Sequence, residues 1–282
     1  MTGDRRGVLY PARLPSFHRL PAPPRVASLV LWFWIPEWDL AAGRTARQEV
    51  IGFPASNLVV EPSLVGLAGP TTRRSFRDLT GRGWAVGALL RPAAVPYLTT
   101  DATALRDRYE TLDHPELHAT VVAAMDGDGD GDGDGATRRT RAVEAFTVWL
   151  VENLPPPSSE ALLANAMAEL LDGDPTVRTV PDAAARLGVS ARTLQRLARR
   201  HVGVSPAAMI RRRRLQEAAE WLRNDPGADI AAVGADLGYA DQAHLAGDFR
   251  TVLGFTPSSY RGAARARPAG GPPPAAAGRR PP

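Results

Sequence analysis

The C-terminal third of the chain repeats itself, and this repeat constrains the fold more than any other feature. Leu187-Gly188-Val189 recurs as Leu237-Gly238-Tyr239 fifty residues later, and Gly203-Val204-Ser205-Pro206 recurs as Gly254-Phe255-Thr256-Pro257 fifty-one residues later. Each copy has room for a short helix, a glycine turn, a second helix and a glycine stop, and a proline begins the next element. The repeat therefore predicts two helix-turn-helix units within residues 176–261.

The first copy predicts a supporting helix over Val180–Leu187 and a recognition helix over Ala191–Val202, with Ser190 as its N-cap. Apolar residues repeat at helical spacing on one side of the recognition helix, and polar residues form a stripe on the other side: Arg192, Gln195, Arg196 and Arg199. Arginine and glutamine read guanine and adenine edges through paired hydrogen bonds, and such contacts usually come from the start of the helix. We therefore expect Arg192, Gln195 and Arg196 to read bases, and Ser190, Arg199 and Arg200 to contact the DNA backbone.

A polar stripe on a surface helix is often only solvated, and a single helix-turn-helix pattern is a common false positive. In this sequence the turn, the cap, the stripe and a second copy coincide. The combination favours DNA binding.

A long helix is predicted between the copies, over Pro206–Asn224. Its four consecutive arginines, residues 211–214, span a full turn and cannot all point one way. We expect Arg212 and Arg214 to reach phosphates, and others of the run to pair with Glu217 or Glu220.

The distribution of charge along the chain supports DNA binding by the C-terminal part. Residues 176–267 hold fifteen arginines against eight acidic residues, whereas the whole chain has a net charge of only +4. A basic C-terminal part is expected if only that part meets a polyanion.

The chain has no cysteine, which excludes disulfides, thiolate zinc sites and cysteine nucleophiles. Its longest apolar run, Val26–Ile35, is about half the ~20 residues of a membrane helix, and the N-terminus lacks the apolar core of a signal peptide, so we expect a cytoplasmic location without a membrane partner.

Residues 165–262 resemble the DNA-binding domain of the AraC/XylS family of bacterial transcription regulators. The resemblance is most specific in the stretch from Gly238 to Arg261, which reads GYADQAHLAGDFRTVLGFTPSSYR. It implies two helix-turn-helix units joined by one long helix, with recognition helices in successive major grooves. It also implies base contacts by Gln242 and Ala243, backbone contacts by His244 and Arg250, double-stranded DNA as ligand and RNA polymerase as a further partner.

The sequence departs from the family in both copies. Position 247 is Gly where the family often has Arg, Asp248 follows it, and position 198 is Ala where an aromatic residue is common. We therefore expect the first copy to supply most of the specificity and the second mainly to clamp the backbone, with the acid of Asp248 near the phosphates.

The N-terminal region has a different character. Short apolar runs within residues 17–100 alternate with turn signals, and the runs are Val26–Ile35, Asn57–Glu61 and Trp84–Leu90. This alternation predicts a β sandwich or small barrel, followed by helical structure from about residue 92 to residue 122. The region resembles the β-rich, cupin-like sensor domains that precede this DNA-binding domain in some relatives, and such domains bind an effector or form a homodimer. Trp32 and Trp34 share one face of their strand and are candidates for an effector pocket, although a core role is the alternative.

The fold class predicted from these parts is α+β, with a β-rich cupin-like domain carrying helices and an all-α C-terminal domain. The predicted segments are a flexible N-terminus (1–16), a sensor-like domain with trailing helices (17–125), an acidic Asp-Gly linker (126–137), an amphipathic helix with a Pro-rich linker (138–159), the double helix-turn-helix domain (160–262) and a disordered tail (263–282). The Asp-Gly run lacks the twelfth-position glutamate of a calcium loop. The amphipathic helix within residues 138–159 is expected either to pack on its own domain or to form a dimer interface.

Three classes of function are compatible with these features: a regulator that senses a small molecule, a DNA-binding adaptor whose N-terminal domain meets a protein partner, and an enzyme. DNA-alkylation repair needs a transferable cysteine, and a cupin-type metal enzyme needs a histidine cluster. His18 is the single histidine within residues 17–100. His114 and His118 are four residues apart, but the sequence around them offers no third metal ligand. We therefore predict a transcriptional regulator, with no catalytic residues, no metal and no cofactor, and the adaptor as the alternative.

Overall fold

The computed structural model describes residues 16–51, 54–72, 74–127 and 134–265. The chain forms two compact units, one ending at Ile210 and the other beginning at Arg211. They are called the N-terminal unit and the C-terminal unit. The division between the two units falls within a helix. The sequence predicts a domain boundary earlier, at residue 160, and that boundary stays a prediction.

The N-terminal unit begins with strands: β1 (Ser16–Pro21), β2 (Val30–Asp39), β3 (Thr45–Ile51), β4 (Asn57–Glu61), β5 (Leu64–Ala68), β6 (Arg74–Thr80), β7 (Arg82–Trp84), β8 (Val86–Leu90) and β9 (Tyr109–Leu112). Seven of them form one antiparallel sheet with the order β1-β2-β8-β4-β5-β9, and β7 pairs with β2 beside this path. Strands β3 and β6 form a separate antiparallel ribbon. The sheet, the ribbon and the helices packed against the sheet up to residue 153 are called the β-rich domain (residues 16–153).

The helices of the N-terminal unit are α1 (Val95–Leu98), α2 (Pro115–Asp126), α3 (Gly135–Asn153), α4 (Ser159–Gly173), α5 (Val180–Leu187) and α6 (Ala191–His201). Helix α7 (Pro206–Asn224) runs across the division, and the C-terminal unit continues with α8 (Ile230–Asp236), α9 (Gln242–Leu253) and α10 (Pro257–Arg265). The mixed sheet and helices confirm the predicted α+β class.

The core of the β-rich domain lies between the sheet and helices α2 and α3. Strand β2 turns Phe33 and Ile35 inward, where both are fully buried, and the Phe33 ring meets the ring of Phe146 on α3 edge to face at 5.4 Å. Because successive side chains of a strand alternate in direction, Trp32 and Trp34 lie on the opposite, partly exposed face. The predicted separation of these aromatic residues is confirmed.

The helices of the repeat follow the sequence closely. The predicted supporting helix and the long helix have the bounds of α5 and α7, and α6 ends one residue before the predicted end. These boundaries were predictable because caps, glycine turns and prolines act locally.

The β-rich domain differs from the prediction in two places. Continuous helical structure after residue 92 is wrong, because Tyr109–Leu112 forms β9 and pairs with β5. The first apolar run forms a strand that begins four residues later than predicted, since Pro24–Val26 is a short 3-10 turn. Both strands owe their place to partners far along the chain, which local patterns do not reveal.

The ends and the linker fall largely outside the described residues. The flexible N-terminus, the centre of the Asp-Gly linker (128–133) and residues 266–282 of the predicted tail lie there. Residues 263–265 belong to α10. Within the described ranges, no helix combines the length and apolar character needed to cross a bilayer.

Candidate nucleic-acid interface

The first helix-turn-helix unit consists of α5 and α6 and is defined by its caps. Thr179 and Asp182 form a reciprocal capping box at the start of α5, and Gly188 ends it with a left-handed φ of +64°. Ser190 caps α6, since its hydroxyl oxygen accepts a hydrogen bond of 3.0 Å from the backbone N–H of Thr193. The predicted N-cap is thereby confirmed.

Helix α6 has one buried side and one exposed side. Leu194, Leu197 and Ala198 are fully buried in the core shared with α4 and α5. All side chains of the predicted DNA-contacting set on this helix are exposed, together with the capping residue: Ser190, Arg192, Gln195, Arg196, Arg199 and Arg200. The structure thus presents an arginine- and glutamine-bearing face whose base and phosphate contacts stay a prediction.

No sequence signal indicated the partner of this face. Glu160, in the first turn of α4, accepts hydrogen bonds from Arg196 at 2.8 Å and from Arg200 at 3.2 Å. The hydrogen bond from Arg196 is the largest cause that lowers the pKa of the Glu160 carboxyl, so the group is charged at neutral pH. The partners are 36 and 40 residues apart, and no local pattern could have joined them.

The second helix-turn-helix unit consists of α8 and α9 within the C-terminal unit. Asp229 and Asp241 cap the two helices through their side chains, and Gly254 ends α9 with a φ of +76°. Leu245 and Phe249 are fully buried, and the Phe249 ring packs edge to face on Tyr260 at 5.8 Å. The second copy therefore repeats the capped architecture of the first.

The exposed side of α9 carries fewer groups that can read or bind DNA. The predicted contact residues Gln242, Ala243, His244 and Arg250 are all exposed, and only one of them, Gln242, has an amide side chain. Gly247 contributes no side chain at all.

Asp248 does not act as an acid facing phosphates, and that expectation is wrong. It is only 5% exposed, and its carboxylate accepts two hydrogen bonds from Arg211, one of them from Nε at 2.7 Å. Position 248 faces inward on α9 beside Phe249, so the carboxylate is buried in the C-terminal unit. The ion pair with Arg211 neutralises its charge there.

The arginine run of α7 serves the interior more than the surface. Arg211 pairs with Asp248, and Arg213 pairs with Glu217 at 3.2 Å, which confirms the expected pairing within the helix. The guanidinium of Arg214 lies over the ring of Tyr239 at 4.2 Å, and burial is the largest cause that raises the pKa of Tyr239 to about 12.

Of the two arginines of this run expected at phosphates, Arg212 is only 7% exposed and Arg214 is half-buried. Both expected phosphate contacts are therefore disfavoured in this conformation. A full turn of charged residues gave no indication of which side would be buried.

The predicted aromatic candidates for an effector pocket have local partners. The indole Nε1 of Trp34 donates to Asn57 at 2.9 Å, and the guanidinium of Arg19 lies over Trp32 at 4.1 Å. A groove with a volume of about 780 Å³ lies elsewhere in the β-rich domain, and its aromatic lining is Trp38 and Trp84. Neither Trp32 nor Trp34 lines it.

The two histidines four residues apart, His114 and His118, also make ordinary contacts. His118 Nε2 lies 3.1 Å from the carbonyl oxygen of Glu61, and the His114 ring packs against Trp149. Among the side chains that the structure describes, no three or more histidine or carboxylate groups gather as metal ligands would.

The structure contains two capped helix-turn-helix units, and the second helix of each is exposed on one side. This architecture is that of a helix-turn-helix protein. The family described as "Helix-turn-helix domain" matches residues 183–263, and a family described as a domain of unknown function (DUF6597) matches residues 18–110. The first match covers most of the repeat, and the second covers most of the strands of the β-rich domain.

Two relatives are similar to this chain over part of their length. A Streptomyces antibioticus protein described as an AraC-like transcription regulator is 32% identical over 171 residues, and a Streptomyces lividans protein with the same description is 33% identical over the same length. Each alignment covers 60% of this chain and 54% of the relative, so the chain spans about half the length of the relatives that it matches. The resemblance to the AraC/XylS family is confirmed by these matches.

A solved structure of ToxT from Vibrio cholerae is also similar. Its TM-score is 0.41 at 12% identity, and the alignment covers 81% of this chain and 96% of ToxT. At this level the likeness carries no inference about a ligand.

Proposed function

We propose that the chain is a sequence-specific DNA-binding regulator of transcription of the AraC/XylS type, acting in the bacterial cytoplasm through occupancy of its site and not through catalysis. One observation carries the proposal: a capped helix, α6, that exposes Arg192, Gln195 and Arg196 in a stripe opposite a buried apolar side. These side chains have the donor and acceptor groups that distinguish base pairs in the major groove.

The surrounding charge supports the same function. The additional exposed arginines of α6, Arg199 and Arg200, provide cations beside the stripe. Cations at this position would attract the phosphate backbone and fix the register of the helix, without reading sequence themselves. RNA polymerase is the partner that we propose for the bound regulator.

Selection of binding sites from random duplexes with the purified chain tests the proposal. We expect an enriched motif, and we expect the double variant Arg192→Ala/Gln195→Ala to lose it. Arg106→Ala is the matched control, because Arg106 is an exposed arginine of the β-rich domain. Recovery of random sequence by the wild-type chain at physiological ionic strength would contradict sequence-specific binding.

For the effector, we propose the groove lined by Trp38 and Trp84 instead of Trp32 and Trp34. Pockets for small ligands combine apolar walls with a few polar groups, and the groove sets these two indoles beside the charged groups of Arg82, Arg138 and Asp126. Titration of candidate metabolites, followed by tryptophan fluorescence, should give saturable changes that Trp84→Phe reduces. If Trp34→Phe reduces the fluorescence change and Trp84→Phe does not, the effector site lies at Trp32 and Trp34 instead.

A further inference from the structure

Helix α4 is fixed to the β-rich domain by a buried amide. Asn165 is 7% exposed, and its side chain both accepts from the backbone N–H of Ala93 at 2.9 Å and donates to the carbonyl oxygen of Ser28 at 2.8 Å. One turn further along, Glu169 forms an ion pair with Arg91. Because a buried amide with both ends satisfied tolerates little displacement, the two hydrogen bonds of Asn165 set the position of α4 on the β-rich domain, and the exposed ion pair of Glu169 adds little to them.

The same helix holds the recognition helix of the first unit. Arg196 and Arg200 lie one turn apart on α6, and the Glu160 carboxylate of α4 binds both guanidiniums. The two arginine side chains remain 56% and 62% exposed. Each guanidinium is thus held by a carboxylate and still open to an incoming ligand.

The end of α6 also rests directly on the β-rich domain. His201 is buried, its Nδ1 lies 3.1 Å from the carbonyl oxygen of Pro92, and its Nε2 lies 3.7 Å from Glu160. A Cβ on Gly203 would lie 2.1 Å from the carbonyl oxygen of Ala102, so only glycine allows this approach of the two backbones. The contacts of Glu160 therefore belong to a packed junction between the β-rich domain and the first helix-turn-helix unit.

A carboxylate beside two DNA-facing arginines has two physical effects. It restricts the directions in which the Arg196 guanidinium can point, and it opposes the approach of phosphates to both arginines. The first effect favours contact with one base edge, and the second weakens binding that depends on charge alone.

We infer that Glu160 is a positioning residue that sets the sequence specificity of the first recognition helix and suppresses its non-specific binding to DNA. The inference rests on the proposed function and assigns the control of Arg196 to a side chain held by the β-rich domain. DNA phosphates and the Glu160 carboxylate are thus competitors for the same two cations.

The test compares Glu160→Gln with the wild-type chain on a selected duplex, on its single-base variants and on a scrambled duplex, over a series of salt concentrations. Glutamine keeps the size of the side chain and removes the charge. We expect tighter binding to the scrambled duplex, and a slope of log affinity against log salt that is steeper by about one, since a freed arginine can neutralise one more phosphate. Discrimination at the base pair read by Arg196 should fall about tenfold, the order of a lost two-pronged base contact.

Two further variants separate positioning from a general structural role. Glu169→Gln changes the same side chain on the same helix, but its partner is Arg91, so we expect wild-type specificity. In the double variant Glu160→Gln/Arg196→Ala, discrimination should equal that of Arg196→Ala alone, because Glu160 acts on specificity through Arg196. Independent, additive losses would mark a structural effect and would overturn the inference.

The remaining outcomes distinguish this inference from the proposed function. If the wild-type chain discriminates between duplexes and Glu160→Gln does so equally well at every salt concentration, the role of Glu160 is refuted and sequence-specific binding stands. If the wild-type chain shows no preference among duplexes, sequence-specific binding is refuted, and the role of Glu160 is refuted with it.

Discussion

The two helix-turn-helix units share a scaffold and differ in what they expose. Both begin their second helix with a side-chain cap, at Ser190 and at Asp241, and both bury an apolar side. The second helix of the first unit exposes four arginines and a glutamine, whereas that of the second exposes Gln242, His244 and Arg250 among small residues. The comparison teaches that the repeat preserves the capped architecture with one buried apolar side, and not the exposed side chains that would read DNA.

The interiors of the two recognition helices differ as well. Position 198 of the first is a fully buried alanine, and Phe249 at the matching position of the second is a fully buried aromatic residue. The first helix gains further support from α4, and the second gains it from the ion pair of Asp248 with Arg211. We therefore expect the first unit to govern specificity and substitutions in the second to act mainly on stability and on uniform affinity.

The largest effect should come from Phe249→Ala in the core of the C-terminal unit. Removal of a fully buried aromatic ring costs about 3–5 kcal/mol of unfolding free energy, because the cavity closes only in part. Urea denaturation followed by circular dichroism measures it. Thr251→Ala, on the exposed side of the same helix, is the control, and an equal loss in both variants would contradict the assigned core.

The next effect should separate the two recognition helices directly. Arg192→Ala should cost about 1–3 kcal/mol of discrimination at one base pair of a selected site, the value of a two-pronged contact to a base. Gln242→Ala should change discrimination less, since α9 has few neighbouring groups that would hold its register. Competition binding with single-base variants gives both values, and a larger loss for Gln242→Ala would reverse the comparison.

A smaller effect on stability is expected from Asp248→Asn. The variant keeps the shape of the side chain and loses the charge that Arg211 binds, at a cost of about 1–2 kcal/mol, below the usual value for a broken buried pair because Arg211 can return to water. A lower urea midpoint with an unchanged slope would measure it. The freed Arg211 should also raise affinity for every duplex alike. Glu220→Gln on α7 is the control for loss of an exposed acid.

The smallest effect should come from Gly247→Arg, which adds a cation to α9 at a position that has no side chain. A Cβ at this position meets nothing within 4 Å, and replacement of a helical glycine stabilises by about 0.5–1 kcal/mol. Gly247→Ala isolates that gain. Only the arginine variant should steepen the salt dependence of binding, and equal salt dependence in both would show that position 247 lies away from the phosphates.

Local signals in the sequence predicted the repeat well. Prolines, glycines and capping residues placed α5, α6 and α7 within one residue of their observed ends, because each signal acts within a turn of the chain. Alternation likewise separated Trp32 and Trp34 from Phe33 on the two faces of β2.

Interactions between distant residues were not predictable in the same way. Strand β9 needs β5 as its partner, Asp248 needs Arg211, and Arg196 needs Glu160, and each pair is separated by more than thirty residues in the chain. The burial of Arg212 shows the same limit, since a run of four arginines contains no pattern that marks its inner side.

The most direct test of the account is a single-base substitution scan across a selected site, with binding free energies measured for the wild-type chain and for Arg192→Ala. The account predicts that the costly positions, about 1–3 kcal/mol each, lie mainly in one short segment, and that the variant flattens at least one of them there. Costs spread evenly along the site, unchanged by the variant, would contradict recognition by the first helix.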